Sequence, residues 1–354
     1  MARTKMVNER AAFAFCAVFQ SRAAGCPEGS EVKMKNFAKI LSGGVAALCL
    51  ATALPASAAQ LSGDARAAIP HDVQQLIVID YRAMQNSPAA MQLKNKVMPP
   101  ELKTLEKALQ VSGMNDNHDV DELAFASFRP KGATGDSTRI IGLAQGQFSV
   151  DDIIANFKKK KVKPIVLRDN RIYPMGASGM QVVFLNPTTM VFGQTDSLKQ
   201  ALDARDGLQP NFLTNYDMTN MMASVQDEPL WSILDQKGTQ TMMRSLMGEA
   251  SSQMGDDDTM KKRILTSWYS MDFQNGVQFN LDVLTPDTFT AATMASLLNA
   301  AALYKKMSGT DIEKQAIDGT KIDSSAGKLI VTYSSSDSQF ATLLQSNLFQ
   351  SVVH

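Results

Sequence analysis

The chain is poor in the residues that build thiol and imidazole sites. Its three cysteines all lie within the first 58 residues, at Cys16, Cys26 and Cys49. The rest of the chain therefore lacks the side chains for a disulfide framework, a thiol nucleophile or a thiolate metal site. Histidine is equally scarce, with only His71, His118 and His354. We expect no metal and no cofactor, because metal sites and histidine-based catalysis have little material here.

Long apolar runs are also missing, apart from one near the N-terminus. A short basic head begins at Met34, about fifteen apolar residues follow from Ile40 to Leu54, and Ala56-Ser57-Ala58 ends the pattern. This is the three-part pattern of a secretory signal peptide. The run is shorter than the roughly 20 residues that a transmembrane helix needs.

The pattern predicts how the chain is processed. Residues 34–58 are expected to be a signal peptide, cut near Ala58 or Ala59, and the mature protein is expected in the periplasm or outside the cell. Residues 1–33 would be an unusually long preface, which favours a start codon assigned too far upstream. The mature chain is not expected to be transmembrane.

The overall charge balance argues against nucleic acid as a partner. The full chain has 35 basic and 35 acidic residues. Removing residues 1–58, which hold seven basic and three acidic residues, leaves 28 and 32, a net charge near −4. Nucleic-acid-binding domains are usually strongly basic.

Positive charge is nevertheless concentrated in one stretch, between residues 158 and 171. This patch is the candidate ligand-binding site, and an anionic glycan, a lipid head group or an envelope protein would suit it. The competing interpretation is a solvated helix end, since lysines favour the last turn of a helix. The seven residues of the patch are Lys158, Lys159, Lys160, Lys161, Lys163, Arg168 and Arg171.

Hydrophobic periodicity predicts a mixed succession of strands and helices over residues 71–206. Prolines 99 and 100 are expected to interrupt a helical region that starts near Pro88 and stops at Gly113. Strands are predicted at 76–79, 120–128, 137–146, 165–167, 171–174, 181–185 and 190–193, with helices at 150–161 and 197–205.

The second part of the chain has the clearest pattern. Alternating residues before and after Asn275-Gly276 predict a β-hairpin with a type I′ turn. Thr285-Pro286 is expected to begin a long helix that Gly309 ends. Its buried stripe is predicted to contain Phe289, Ala292, Ala295, Leu298 and Ala302. Strands at 315–323 and 329–334 and a helix at 337–348 complete the prediction.

The order of elements predicts an α+β fold made of two similar halves. Each half contains the β-α-β-β-α-β order of a ferredoxin-like unit, with mostly antiparallel sheets and helices on one face. We expect residues 59–70 to be a flexible lead, 71–206 the first half, 207–228 a link and 229–354 the second half.

Two short strings resemble catalytic motifs, and neither is assigned a catalytic role. His71-Asp72 is adjacent in sequence, and neighbours on an extended chain point to opposite faces, which favours a surface loop. Ser325-Ala326-Gly327-Lys328 matches a Ser-x-x-Lys pattern, but its glycine favours a turn between two strands.

Methionine is the remaining abundant candidate ligand. Eighteen of the 21 methionines follow residue 58. Thioethers bind Cu(I), and a methionine cluster would suit an exported copper carrier. The spacing of Met243, Met247 and Met254, four and seven residues apart, favours packing in a helix stripe instead.

Several strings resemble those of uncharacterised exported bacterial proteins of the domain-of-unknown-function type. They are Ile69-Pro70-His71-Asp72, His118-Asp119-Val120-Asp121-Glu122, Gly146-Gln147-Phe148 with Asp151-Asp152, and Leu230-Trp231. Families of this kind have no agreed activity, so the resemblance implies no functional residues.

The sequence therefore favours a non-enzymatic envelope or periplasmic protein that binds a partner or ligand. An envelope hydrolase that uses carboxylates alone is the alternative, because two acidic side chains suffice for glycoside hydrolysis. The copper carrier is the third possibility.

Overall fold

The computed structural model describes residues 60–130, 132, 138–176, 179–247 and 263–346. The expected upstream preface, the signal peptide and its cleavage site lie outside these residues. So do Met254, His354 and the C-terminal end of the predicted last helix.

One twelve-stranded sheet runs through both halves, and every strand pair in it is antiparallel. This confirms an α+β fold with a large antiparallel sheet. The strand order is β11-β12-β10-β9-β8-β1-β2-β3-β7-β6-β5-β4. The strands are β1 (Val73–Asp80), β2 (Val120–Phe128), β3 (Arg139–Gly146), β4 (Ile165–Leu167), β5 (Asn170–Pro174), β6 (Gln181–Asn186), β7 (Thr189–Gly193), β8 (Leu230–Leu234), β9 (Thr266–Asp272), β10 (Val277–Leu284), β11 (Thr320–Ser325) and β12 (Lys328–Ser335).

Twelve α-helices connect these strands in the part of the chain that the structure describes. Prolines start two of them, as the sequence predicts, because proline suits the first helical turn. The helices are α1 (Gly63–Ala67), α2 (Tyr81–Gln85), α3 (Pro88–Val97), α4 (Pro100–Val111), α5 (Asp116–Asp119), α6 (Val150–Lys159), α7 (Thr195–Arg205), α8 (Tyr216–Met222), α9 (Gln236–Met247), α10 (Thr288–Ser308), α11 (Asp311–Asp318) and α12 (Asp337–Gln345).

The ferredoxin-like arrangement of the halves is not confirmed. In a ferredoxin-like unit, the strands joined by the first helix are parallel and another strand separates them. Here β1 and β2 are direct antiparallel neighbours. The reason is the connection between them: α2 starts at the end of β1, α5 stops at the start of β2, and Asp80 pairs with Glu122. A chain that leaves and re-enters the sheet at the same end must reverse its direction.

Helices cover both faces of the sheet in the first half, so the prediction of helices on one face is wrong there. One face packs Leu76, Ala126 and Leu143 against α1, α7 and α8. The opposite face packs residues such as Val182 and Phe192 against α4 and α6. Strands that are buried on both faces do not alternate between apolar and polar residues, and β7 is buried at all five positions.

In the second half, the described helices cover one face of the sheet. Leu281, Val283 and Leu329 pack beneath α10, α11 and α12. Gln278 and Asn280 lie on the opposite side of β10 and are exposed. The strict alternation that predicted this hairpin follows from that one-sided burial.

Residues 60–70, expected to be a flexible lead, are instead structured and packed. They contain α1, and Leu61, Ala65 and Ile69 are buried in the first-half core. The link over 207–228 likewise contains α8, whose Met218 and Met222 are buried. Both segments pack against the sheet, so no loose connection separates the halves.

Strand β8 joins the halves by pairing with β1. Its side chains serve two cores: Leu230 and Leu234 lie in the second-half cluster, whereas Trp231 and Ile233 lie in the first-half cluster. At the same seam the buried Gln75 amide donates to the Ser232 hydroxyl (3.2 Å). The two halves therefore share one sheet and part of their packing.

The long helix α10 differs from the prediction in its start and in its buried face. Asp287, not Thr285, is its N-cap, and its carboxylate accepts from the Thr290 N–H (2.7 Å). Phe289, predicted to be buried, is 80% exposed. The inner face is built from Ala291, Met294 and Ala295. Of the predicted stripe, Ala295 is buried and Leu298 is partly buried against the core, whereas Phe289 and Ala292 are exposed. Because the helix is apolar on both sides, periodicity identified only part of its buried face.

Two other local predictions need correction. The strand expected from residue 315 is helix α11 up to Asp318, and β11 begins only at Thr320. In the β9–β10 hairpin, only Gly276 has a positive φ (85°), whereas a type I′ turn needs positive φ at two residues. That requirement is met instead by Ala326 and Gly327 (49° and 77°), between β11 and β12.

Candidate functional site

The end of α6 forms one part of the basic patch. Two hydrogen bonds close this helix, from the Lys161 N–H to the Lys158 carbonyl and from the Val162 N–H to the Phe157 carbonyl. This pattern places Lys161 where the chain turns left-handed (φ 59°), a position that glycine usually occupies. A lysine held there projects its charge beyond the end of the helix.

A second helix ends at the same place. The Lys160 ammonium donates to the Val111 carbonyl (2.5 Å), the last residue of α4. The Asn156 amide donates to the neighbouring Ser112 carbonyl (3.0 Å). Lys160 therefore satisfies a carbonyl at a negative helix end, which is the structural role that a lysine in this position often has.

The β4–β5 hairpin supplies the other side of the patch. Leu167 pairs with Asn170, so Arg168 and Asp169 form a two-residue loop, and Arg168 is left-handed (φ 55°). The Arg168 guanidinium forms ion pairs with Asp203 (2.5 Å) and Asp206 (2.8 Å). Its charge is neutralised locally, so Arg168 is removed from the predicted set of ligand-binding residues.

The structure places Arg171 on the same side of the sheet as α6, the helix whose end carries lysines of the patch. Arg171 pairs with Val166 across the hairpin, and Tyr173, two residues on, packs against Phe157 of α6 at 4.9 Å between ring centroids. Since alternate strand residues share a face, Arg171 and Val166 lie on the α6 side. Among the described residues, none forms an ion pair with the exposed cations Lys158, Lys159, Lys161, Lys163 and Arg171.

Two exposed apolar side chains lie beside these cations. The sequence prediction of this site rested on charge alone and did not include them. Val111 is 71% exposed at the end of α4, where Lys160 binds its carbonyl. Val166 is 68% exposed on β4, on the same side of the sheet as Arg171. We call the surface made of Val111, Val166 and the five unpaired cations the basic corner. It lies at β4, the last strand of the sheet.

His71 and Asp72 lie in a small cleft beside the start of β1. The His71 Nδ1 and Asp72 Oδ1 atoms are 3.1 Å apart, so the expectation that they point to opposite faces is wrong. Both residues precede β1, which begins at Val73. The His71 N–H donates to the Pro210 carbonyl, and the Asp72 carbonyl accepts from the Arg129 N–H. The cleft, of about 180 Å³, is lined by Pro70, His71, Asp72, Arg129, Gln200, Gln209 and Pro210.

A partly buried charge network that the sequence did not reveal joins α2, α3, α4 and α5. The Lys94 ammonium bonds the Tyr81 hydroxyl and the Glu106 carboxylate (both 2.6 Å), and Tyr81 donates to Asp116 (3.0 Å). Burial raises the pKa of Tyr81. Burial lowers the pKa of Lys94, but its hydrogen bonds to Glu106 and Tyr81 outweigh burial and raise it overall. The network stays charged and links four helices, which favours a structural role.

Among the described residues, Glu122 is the carboxyl group whose pKa is shifted furthest from its ordinary value. It is 0% exposed, and neither of its carboxyl oxygens has a hydrogen-bond partner in the structure. Burial, followed by the charges of Asp80 and Asp121, raises its pKa to about 8. A neutral acid beside an ionised one is the pairing that glycoside hydrolases use. Here, however, a substrate cannot reach the buried group.

Most of the methionines with described side chains are dispersed through the cores, whereas Met307 is exposed on α10. Met218 and Met222 pack in the first-half cluster, and Met242 and Met243 pack in the second-half cluster. Their positions favour packing over a shared copper site. The side chain of Met247 lies outside the described residues.

The parts of the chain that the structure describes hold neither a metal-binding cluster nor a helix suited to crossing a membrane. No group of three or more His, Cys, Asp or Glu side chains is arranged to hold a metal ion in these parts. None of the helices described combines the length and the apolar composition required to cross a membrane.

No protein-family profile matches the chain, and no curated protein matches it. Three crystal structures of the protein TP0453 are similar in fold. Crystal form I has a TM-score of 0.46 at 9% identity, covering 80% of this chain and 97% of TP0453. Forms III and IV have TM-scores of 0.42 and 0.41 at 9% and 10% identity, covering 79% and 82% of this chain and 96% and 98% of theirs.

Proposed function

We propose that this chain is an exported, non-enzymatic protein of the bacterial envelope that binds an anionic partner through the basic corner. One observation carries the proposal. Lys161, a residue other than glycine, adopts a left-handed backbone (φ 59°) within this corner. Backbone strain persists where the surrounding structure or the function requires it, and it is concentrated at functional sites.

The charge distribution supports the same site. The mature chain is mildly acidic, yet five exposed cations lie together without ion pairs to described residues. Like charges held close together repel one another in the free protein. A bound anion relieves that repulsion and is attracted by the summed field.

We also propose that the two halves are repeats of one unit, as their element order predicts. In the first half the strand neighbours are β1-β2-β3-β7, and in the second they are β8-β9-β10-β12. In each half a helix follows the third strand, and the last strand returns beside that third strand before a closing helix. The repeated connection supports a repeat of topology, without the ferredoxin-like order.

The proposed binding is tested on an immobilised soluble polyanion, heparin, with the mature chain starting at residue 60. We expect retention at low salt and release as salt rises, because salt screens exposed charges. A triple variant, Lys159→Glu, Lys161→Glu and Lys163→Glu, is expected to lose retention. The matched control changes Lys96, Lys199 and Lys321 to Glu, the same charge change on exposed lysines elsewhere. Equal losses in both variants would contradict the site.

The carboxylate hydrolase remains the second candidate because of Glu122. Its raised pKa suits a general acid, although its burial argues against contact with a substrate. We expect the purified chain to cleave neither peptidoglycan nor glycoside, ester and peptide reporters. Turnover that disappears with Glu122→Gln would establish the hydrolase instead.

A further inference from the structure

The basic corner combines two features that together define a kind of partner. The exposed cations attract negative charge, and Val111 and Val166 expose apolar surface beside them. A soluble anionic polymer pairs with cations alone and gains little from isolated apolar side chains. A lipid surface offers both anionic head groups and an apolar layer just beneath them.

The position of the corner suits a flat and extended partner. Strand β4 is the terminal strand of the twelve-stranded sheet, so the corner projects at one end of the molecule. The ends of α4 and α6 meet there, and the β4–β5 hairpin adjoins them. A planar surface can therefore touch the corner without meeting the opposite end of the sheet, where β11 lies.

Strand addition by an acidic peptide is a less suitable use of this edge. Strand β4 has only three residues, and Pro164 precedes it. Lys163 and Arg168 flank the strand. Short length, proline and flanking charge are the features by which edge strands avoid pairing with another chain.

We infer that the basic corner binds the surface of an anionic lipid bilayer, with its cations among the head groups and Val111 and Val166 inserted at the interface. The inference rests on the proposed function and names the partner of the same site. Binding of this kind is peripheral and reversible, because it combines electrostatic attraction with a small apolar insertion.

The test is cosedimentation of the mature chain with vesicles of phosphatidylcholine alone or mixed with phosphatidylglycerol. We expect binding only to the anionic vesicles and release at high salt. Since each basic residue near such a surface contributes about fivefold, Lys159→Glu, Lys161→Glu and Lys163→Glu together weaken binding by at least about a hundredfold. The control with Lys96, Lys199 and Lys321 changed to Glu retains most of it.

The two valines separate a lipid surface from a soluble polyanion. Val111→Ser with Val166→Ser is expected to weaken vesicle binding about tenfold and to leave heparin retention unchanged. The matched control is Leu303→Ser with Met307→Ser, two exposed apolar residues of α10 at the far end of the sheet, and we expect no change.

Each outcome decides between the two claims. Retention on heparin without vesicle binding overturns the lipid inference and leaves the proposed function standing. Failure of both overturns both. Vesicle binding that depends on Leu303 and Met307 places the lipid contact on α10 and overturns the inference as stated.

Discussion

Left-handed backbone is uncommon for residues that carry a side chain, and it occurs at Lys161, Arg168 and Ala326 in the described chain. Ala326 lies in a tight hairpin loop, where turn geometry alone requires it. Arg168 is held by two aspartates, which explains how its conformation persists. The Lys161 side chain forms no ion pair with a described residue, so only the two backbone hydrogen bonds that close α6 hold its left-handed conformation.

Replacing Lys161 with glycine separates stability from binding. Glycine removes the strain of the left-handed position, and we expect stabilisation by about 0.5–1 kcal/mol in urea unfolding. Lys159→Gly, inside the last turn of α6, is the control and is expected to destabilise by about 1 kcal/mol. Both variants lose one charge and should bind polyanion less well. Equal destabilisation by the two would show that Lys161 is not strained.

Glu122 makes stability depend on pH in a direction opposite to that of most carboxylates. Its folded-state pKa, about 8, lies above the ordinary value of 4.5, so the folded state holds a proton that the unfolded state releases between these values. Stability contributed by this group is complete below pH 4.5 and is lost as pH rises towards 8. At about 1.4 kcal/mol for each pH unit between these values, the loss of stability is on the order of 5 kcal/mol.

The variant Glu122→Gln should remove this pH dependence, because glutamine carries no titrating group. Urea unfolding at pH 5, 6.5 and 8 is expected to give a wild type that weakens steadily and a variant that does not. The variant should be the more stable of the two at pH 8. A wild type whose stability rises between pH 5 and 8, in step with the variant, would exclude a neutral buried Glu122.

At the scale of elements, Gly276 and Gly207 differ in what a side chain would encounter. At Gly207 it would cause backbone strain alone, and at Gly276 it would also cause a steric clash. Gly276, in the β9–β10 hairpin, has a φ of 85°, and a Cβ atom there would lie 2.4 Å from the Ser335 carbonyl oxygen. Gly207 has a similar φ of 72° and open space around it. Both positions demand left-handed backbone, but only Gly276 is also closed by neighbouring backbone.

Changing each of these glycines to alanine should therefore have unequal effects. We expect Gly207→Ala to cost about 1 kcal/mol from backbone strain alone. Gly276→Ala should cost about 1–3 kcal/mol more, because β10 and β12 must separate to admit the methyl group. Thermal unfolding of the two variants measures the difference. Equal destabilisation by the two variants would mean that the β9–β10 hairpin accommodates the methyl group without a steric clash.

The sequence predicted the bounds of an element well where local residues determine them. It did not predict which face of an element is buried, because tertiary packing determines that. Strand β2 and helices α3 and α4 follow the predicted bounds closely, because their signals are local prolines and alternation. Helix α10 carries apolar residues on both sides, and only the position of the sheet determines which side is buried. The meeting of α4 and α6 at the basic corner depends on tertiary contacts and has no sequence signal.

At the scale of the whole molecule, β8 makes the two halves a single structural unit. Trp231 and Ile233 of β8 complete the first-half core, although the sequence places them in the second half. The sequence predicted two similar halves but not a shared sheet. Pairing between strands about 155 residues apart, such as Val78 with Trp231, leaves no local pattern in either segment.

This sharing predicts one cooperative unfolding transition. Both tryptophans, Trp231 and Trp268, belong to the second half, so their fluorescence reports on that half and the seam. Circular dichroism reports on the whole chain. We expect the two midpoints in urea to coincide, and Ile233→Ala to shift both by the same amount. Two separated transitions would contradict the shared core.

The most direct test of the central claim locates the bound partner on the protein. Hydrogen–deuterium exchange of the mature chain would be measured with and without vesicles containing phosphatidylglycerol. We expect slower exchange at 109–113 and 156–172, around the basic corner, and little change along α10. Protection confined to α10, or no protection at the corner when binding is evident, would contradict it.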